Sequence, residues 1–119
     1  MDFDARIPIY FQIIEKIKKE IILGKLQRGE KLPSVRSMAS ELKVNVNTMQ
    51  RVYQELEREG ITFTQRGTGS FVTEDNGMIQ KIKDDMAQGL IKSFVEGMKE
   101  LGFDREGIIE NVNEYIEEA

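Results

Sequence analysis

The residues Asn45, Val46, Asn47, Thr48, Gln50, Arg51 and Gln54 concentrate side chains that can read the edge of a base pair. Asn and Gln pair bidentately with adenine, Arg pairs with guanine, and Thr or an aliphatic group meets the thymine methyl. Arg36 and Lys43 lie close by in the chain, and no carboxylate interrupts the run until Glu55. Asn and Gln taken alone are ordinary polar surface. Gathered into two helical turns beside these cations, they fit duplex DNA as a partner.

Ser34 and Asn45 are good helix N-caps, and a helix N-terminus attracts phosphate through its free N–H groups and its dipole. In Arg66-Gly67-Thr68-Gly69 a hairpin turn needing positive φ explains the glycines. No G-x-x-x-x-G-K-[ST] phosphate loop occurs. Arg66 at such a tip could enter a minor groove, where arginine is favoured electrostatically.

Other chemistry has little to work with. The chain has no Cys, no His and no Trp. This removes thiol nucleophiles, a histidine base, His/Cys metal sites, disulfides and a histidine pH switch. The carboxylate pairs Asp84-Asp85 and Glu117-Glu118 sit on adjacent helical positions, which diverge by about 100° and do not converge on one ion. Met78, Met86 and Met98 lie on or beside an apolar stripe and read as packing. No cofactor, no metal and no catalysis are expected.

The 119 residues suit one domain with a short appendage. Their net charge of −4 hides an asymmetry. Residues 1–75 hold 12 basic and 11 acidic side chains, and residues 76–119 hold 5 and 10. Residues 24–54 carry six basic side chains against Glu30 and Glu41, a local field that draws a polyanion. The acidic start, Met1-Asp2-Phe3-Asp4, does not resemble a secretory signal, and no run approaches a membrane span. The expected location is the cytoplasm.

Periodicity supplies the elements that must position these groups. Tyr10, Ile13, Ile14, Ile17 and Ile21 form one helical stripe, with Pro8 suited to its first turn and Gly24 to its end. Residues 26–33 read as a loop turning at Gly29. Val35, Met38, Ala39 and Leu42 mark a second helix after Ser34. Met49, Val52, Tyr53 and Leu56 mark a third after Asn45, ended by Gly60. Ile61-Thr62-Phe63-Thr64-Gln65 and Ser70-Phe71-Val72-Thr73 flank the glycine turn as a β-hairpin. Asp75-Asn76-Gly77 reads as a joint. Ile79, Ile82, Met86, Leu90, Phe94, Met98 and Leu101 then stripe a long helix ended by Gly102. Asp104 caps a last one bearing Ile108, Ile109, Val112, Tyr115 and Ile116. The expected fold is mostly α with a small β-hairpin wing. It comprises a winged helix-turn-helix over residues 1–75 and a two-helix tail over residues 76–119.

Two helices cannot bury stripes this long by themselves. Either they pack back on the first domain or they pair with a second chain. Pairing answers a second problem, since one small module touches too few base pairs, whereas a twofold dimer places two reading helices about 34 Å apart. Met86, Leu90, Phe94, Met98, Ile108, Val112 and Tyr115 are the expected dimerisation residues.

Several runs resemble the GntR-type winged helix-turn-helix regulators. They are Pro8-Ile9-Tyr10-Phe11-Gln12-Ile13, Gly24-Lys25-Leu26 and Gly29-Glu30-Lys31-Leu32-Pro33-Ser34-Val35-Arg36. Leu42-Lys43-Val44-Asn45, Asn47 to Glu57 and Arg66-Gly67-Thr68-Gly69-Ser70-Phe71-Val72 continue the match. The tail is similar to the short-tailed YtrA-type branch, whose tail dimerises. The resemblance implies DNA contacts at Arg36, Thr48, Arg51, Arg66 and Gly67, with Asn45, Asn47 and Gln50 matching by position. The chain departs from the pattern at four places. Arg28 replaces a frequent proline, Lys43 a frequent glycine and Val46 a frequent basic residue, while Gly107 weakens the first turn of the last helix. A non-glycine residue at positive φ at Lys43 would cost about 1 kcal/mol.

The reading that follows is a homodimeric transcription regulator, a repressor, that binds a two-half-site DNA operator through Ser34, Arg36, Asn45, Asn47, Thr48, Gln50, Arg51, Arg66 and Gly67. No small-molecule effector is legible. A winged-helix adaptor for proteins would instead call for an apolar or acidic outer face on the third helix. A carboxylate-metal nuclease is a distant third reading.

Overall fold

The computed structural model describes all 119 residues. Five helices and one hairpin follow in the order α1 (Ile9–Ile22), α2 (Val35–Leu42), α3 (Val46–Arg58), β1 (Thr62–Gln65), β2 (Gly69–Val72), α4 (Asn76–Glu100) and α5 (Arg105–Glu118). They form two compact units, Met1–Lys83 and Asp84–Ala119.

The core of the first unit is built from the helical stripes. Ile13, Ile14, Ile17 and Ile21 of α1 are buried with Met38, Ala39 and Leu42 of α2 and Met49, Val52, Tyr53 and Leu56 of α3. Ile61 and Val72 at the base of the hairpin join them. Tyr10 departs from its stripe: it stays half-buried. Pro8 stands one residue before α1, as its cap, with ψ of 133°. Its carbonyl accepts from the Phe11 and Gln12 amides, and ahead of the helix no helical carbonyl waits for the N–H that proline lacks. The Gln12 side chain binds backward, donating to the carbonyls of Asp4 and Ile7 and accepting from the Asp4 amide. This fixes the N-terminal arm against the first turn.

Lys43 closes α2 in the left-handed conformation, φ 57° and ψ 47°, the only non-glycine residue at positive φ. That sharp stop lets Asn45 start α3 immediately. In the hairpin, Thr62 pairs with Val72 and Gln65 with Gly69. Gly69, expected in the turn, therefore belongs to β2, and only Arg66, Gly67 and Thr68 form the tip. The Thr68 amide donates to the Gln65 carbonyl with Gly67 at φ +79°, a type II arrangement. The segment before α2 is more than a loop. Lys31 bridges to Phe71, and the Leu32 and Gly29 amides donate to Ser70 and Val72. The segment thus covers the free edge of β2. Turn chemistry hides this in the sequence, because backbone pairing needs no apolar alternation.

The Asp75 carboxylate and carbonyl accept from the first amides of α4, so the expected joint is itself a helix start. Ile82, two turns into α4, is buried. In the second unit, Gly102 at φ +90° ends α4, and Asp104 caps α5 by accepting from the Gly107 amide. Gly107 thereby gains a structural reason. A Cβ there would lie 3.2 Å from both Asp104 Oδ1 and Phe103 Cδ1, crowding the cap.

Candidate nucleic-acid interface

The apolar side of α3 faces the core, which turns Asn47, Gln50, Arg51 and Gln54 to the exterior. Val46 adds an exposed apolar group at the first turn, and Thr48 is half-buried on the flank. The Asn45 side chain accepts from the Asn47 amide at 2.7 Å, which fixes where the face begins. Tyr53 anchors the helix from behind: its hydroxyl donates to the Pro33 carbonyl at 2.6 Å.

Two features improve the electrostatics of this face. Glu55, the first carboxylate on α3, accepts from the Arg58 guanidinium, which holds its carboxyl below the usual range. Glu59 pairs with Lys18 of α1. Two of the acidic groups at this end, Glu55 and Glu59, are therefore compensated by local cations. Arg51 has a different partner, since its guanidinium lies 4.5 Å from the centre of the Tyr10 ring. The sequence marks Tyr10 only as part of a core stripe, and it gives no sign that the ring faces α3.

At the start of α2, Ser34 accepts from the Ser37 amide at 3.1 Å and Arg36 is exposed in the first turn. Arg66 and Gly67 are exposed at the wing tip. A concavity of about 700 Å³ lies between α2 and the wing, lined among others by Lys31, Ser34, Ser37, Thr68 and Ser70. Its hydroxyls and single ammonium are polar company for a phosphate backbone. Sequence reasoning misses Lys31 at this place, because only the edge pairing brings it to the wing.

The second unit presents an apolar surface. Leu90 is 73% exposed and Tyr115 75%. Phe94 is exposed as well, while Met86, Met98 and Val112 are half-buried. Ile108 is the only buried side chain after residue 83. No helix is long and apolar enough to cross a membrane.

A tight helix pair whose second helix shows no carboxylate over its first two turns, backed by a third helix and flanked by a basic wing, defines a winged helix-turn-helix transcription regulator. The chain belongs to the gntR family of bacterial regulatory proteins, whose family model matches residues 9–72. It is 42% identical over 115 residues to the HTH-type transcriptional regulator YhcF of Bacillus subtilis, covering 97% of this chain and 95% of that protein. It is 36% identical to the transcriptional repressor YtrA of the same organism, covering 93% and 83%. A GntR family regulator from Listeria monocytogenes superposes with a TM-score of 0.87 at 44% identity, covering 94% of this chain and 98% of that one.

Proposed function

We propose that this regulator is a repressor that binds a two-half-site operator as a homodimer, with α3 in the major groove and the wing beside it. The observation that carries the reading is the outer face of α3. It presents amide and guanidinium groups over its first two turns while its nearest carboxylate is held by Arg58. Asn47, Gln50 and Arg51 would then choose the sequence, and Ser34, Arg36, Asn45, Thr48, Arg66 and Gly67 would fix register on the backbone and grooves. The similarity to YtrA, named a repressor, supports that direction of regulation.

Dimerisation is supported by the large apolar side chains that the second unit leaves exposed, among them Leu90, Phe94, Leu101 and Tyr115. Leu90, Phe94 and Tyr115, with the half-buried Met86, Met98 and Val112, would form the twofold contact, and Ile108, buried within the unit, would back it. The test is binding to a duplex recovered by the protein from a random pool. The triple variant Asn47→Ala, Gln50→Ala, Arg51→Ala should retain weak, salt-sensitive binding to any duplex and lose preference for that one. Retained preference would place specificity elsewhere.

A further inference from the structure

We propose that Tyr10 is a positioning residue for base recognition, acting through Arg51; the inference rests on the reading of Arg51 as a base contact. The guanidinium carbon of Arg51 sits 4.5 Å from the Tyr10 ring centre, within the range of a cation–π contact. The Arg51 guanidinium donates no hydrogen bond and forms no ion pair within the protein. The contact thus holds the cation against the ring, and no protein acceptor takes its five N–H donors.

Those donors matter for reading a base. Bidentate pairing with guanine uses the edge of the guanidinium and not its face. A free arginine must freeze several torsions to present that edge, and the contact with the ring removes part of this loss before DNA arrives. The backbone that carries the ring is well held. Tyr10 lies in the first turn of α1, where the Pro8 carbonyl receives the Phe11 and Gln12 amides and Gln12 ties down residues 4 and 7. A residue outside the helix pair thus sets the aim of one inside it. The effect would fall on discrimination at one base pair per half-site and not on binding to DNA in general.

The experiment uses the full chain and the duplex it selects from a random pool, together with duplexes altered at single positions. Arg51→Ala identifies the position it reads by relaxing discrimination there. Tyr10→Leu should weaken discrimination at that same position by about 2- to 5-fold, the strength of an exposed cation–π contact, and Tyr10→Phe should restore it. In the Arg51→Ala background, Tyr10→Leu should add nothing. Thermal unfolding of each variant reports whether the fold survives. Equal loss of affinity for all duplexes, or a Tyr10→Leu effect that persists without Arg51, would overturn the positioning role alone. No change in discrimination with Arg51→Ala would overturn both this role and the assignment of Arg51.

Discussion

The Tyr53 hydroxyl donates a 2.6 Å hydrogen bond to the Pro33 carbonyl, linking the middle of α3 to the residue just before the cap of α2. One phenol thus sets the spacing of the two helices that must meet DNA together. It is buried, and burial, reinforced by the charge of Glu41, pushes its pKa up to about 12. The folded state holds the proton more tightly than the unfolded chain, whose tyrosine titrates near pH 10. The stabilisation is complete below about pH 10 and is lost as pH rises toward about 12. Chemical denaturation across that window should show a steeper alkaline decline for the parent than for Tyr53→Phe. Identical slopes would contradict the buried, bonded phenol.

Lys43 carries the one strained backbone position, φ 57°, between α2 and α3. A side chain in this region costs about 1–2 kcal/mol, whereas glycine adopts it freely. Lys43→Gly should therefore stabilise the first unit by about 1 kcal/mol, raising its Tm by several degrees. A lowered Tm would mean that the Lys43 side chain contributes more than its backbone costs.

Much of this architecture is readable in the sequence because the stripes and caps agree with each other. Met49, Val52, Tyr53 and Leu56 are buried as their spacing demands, and Ser34, Asn45 and Asp104 cap the helices they precede. The departures occur where geometry is set across the fold. The Lys31–Phe71 bridge depends on backbone pairing between segments far apart in the chain. Tyr10 meets Arg51 only once α1 packs against α3. Ile82 stays with the first unit although α4 begins at Asn76, since one helix can leave a compact unit without any change of period.

The backbone contacts make a salt-dependent prediction. Arg36 and Arg66 are exposed at the start of α2 and at the wing tip. Each Arg→Ala variant should bind the selected duplex more weakly. Each should also flatten the slope of log K against log salt, by about 0.9 for every phosphate that is no longer neutralised. Unchanged affinity and slope in both would remove these residues from the interface.

The second unit predicts the assembly state. Leu90 and Phe94 are exposed on α4 within its apolar stripe. Sedimentation of the full chain at tens of micromolar should give a dimer, and Leu90→Glu with Phe94→Glu should give a monomer with its helices intact. Ending the chain after Lys83, which keeps the buried Ile82, should leave a folded monomer that binds a half-site weakly for want of avidity. An unfolded fragment would instead assign the tail to the core of its own chain.

Selection of bound duplexes from a random pool by the full-length chain tests the central claim most directly. Paired α3 helices predict enrichment of two inverted half-sites whose centres lie about one turn of B-DNA, or a multiple of it, apart. Enrichment of a single unpaired site, or of no sequence at all, would contradict a dimer that reads DNA through α3.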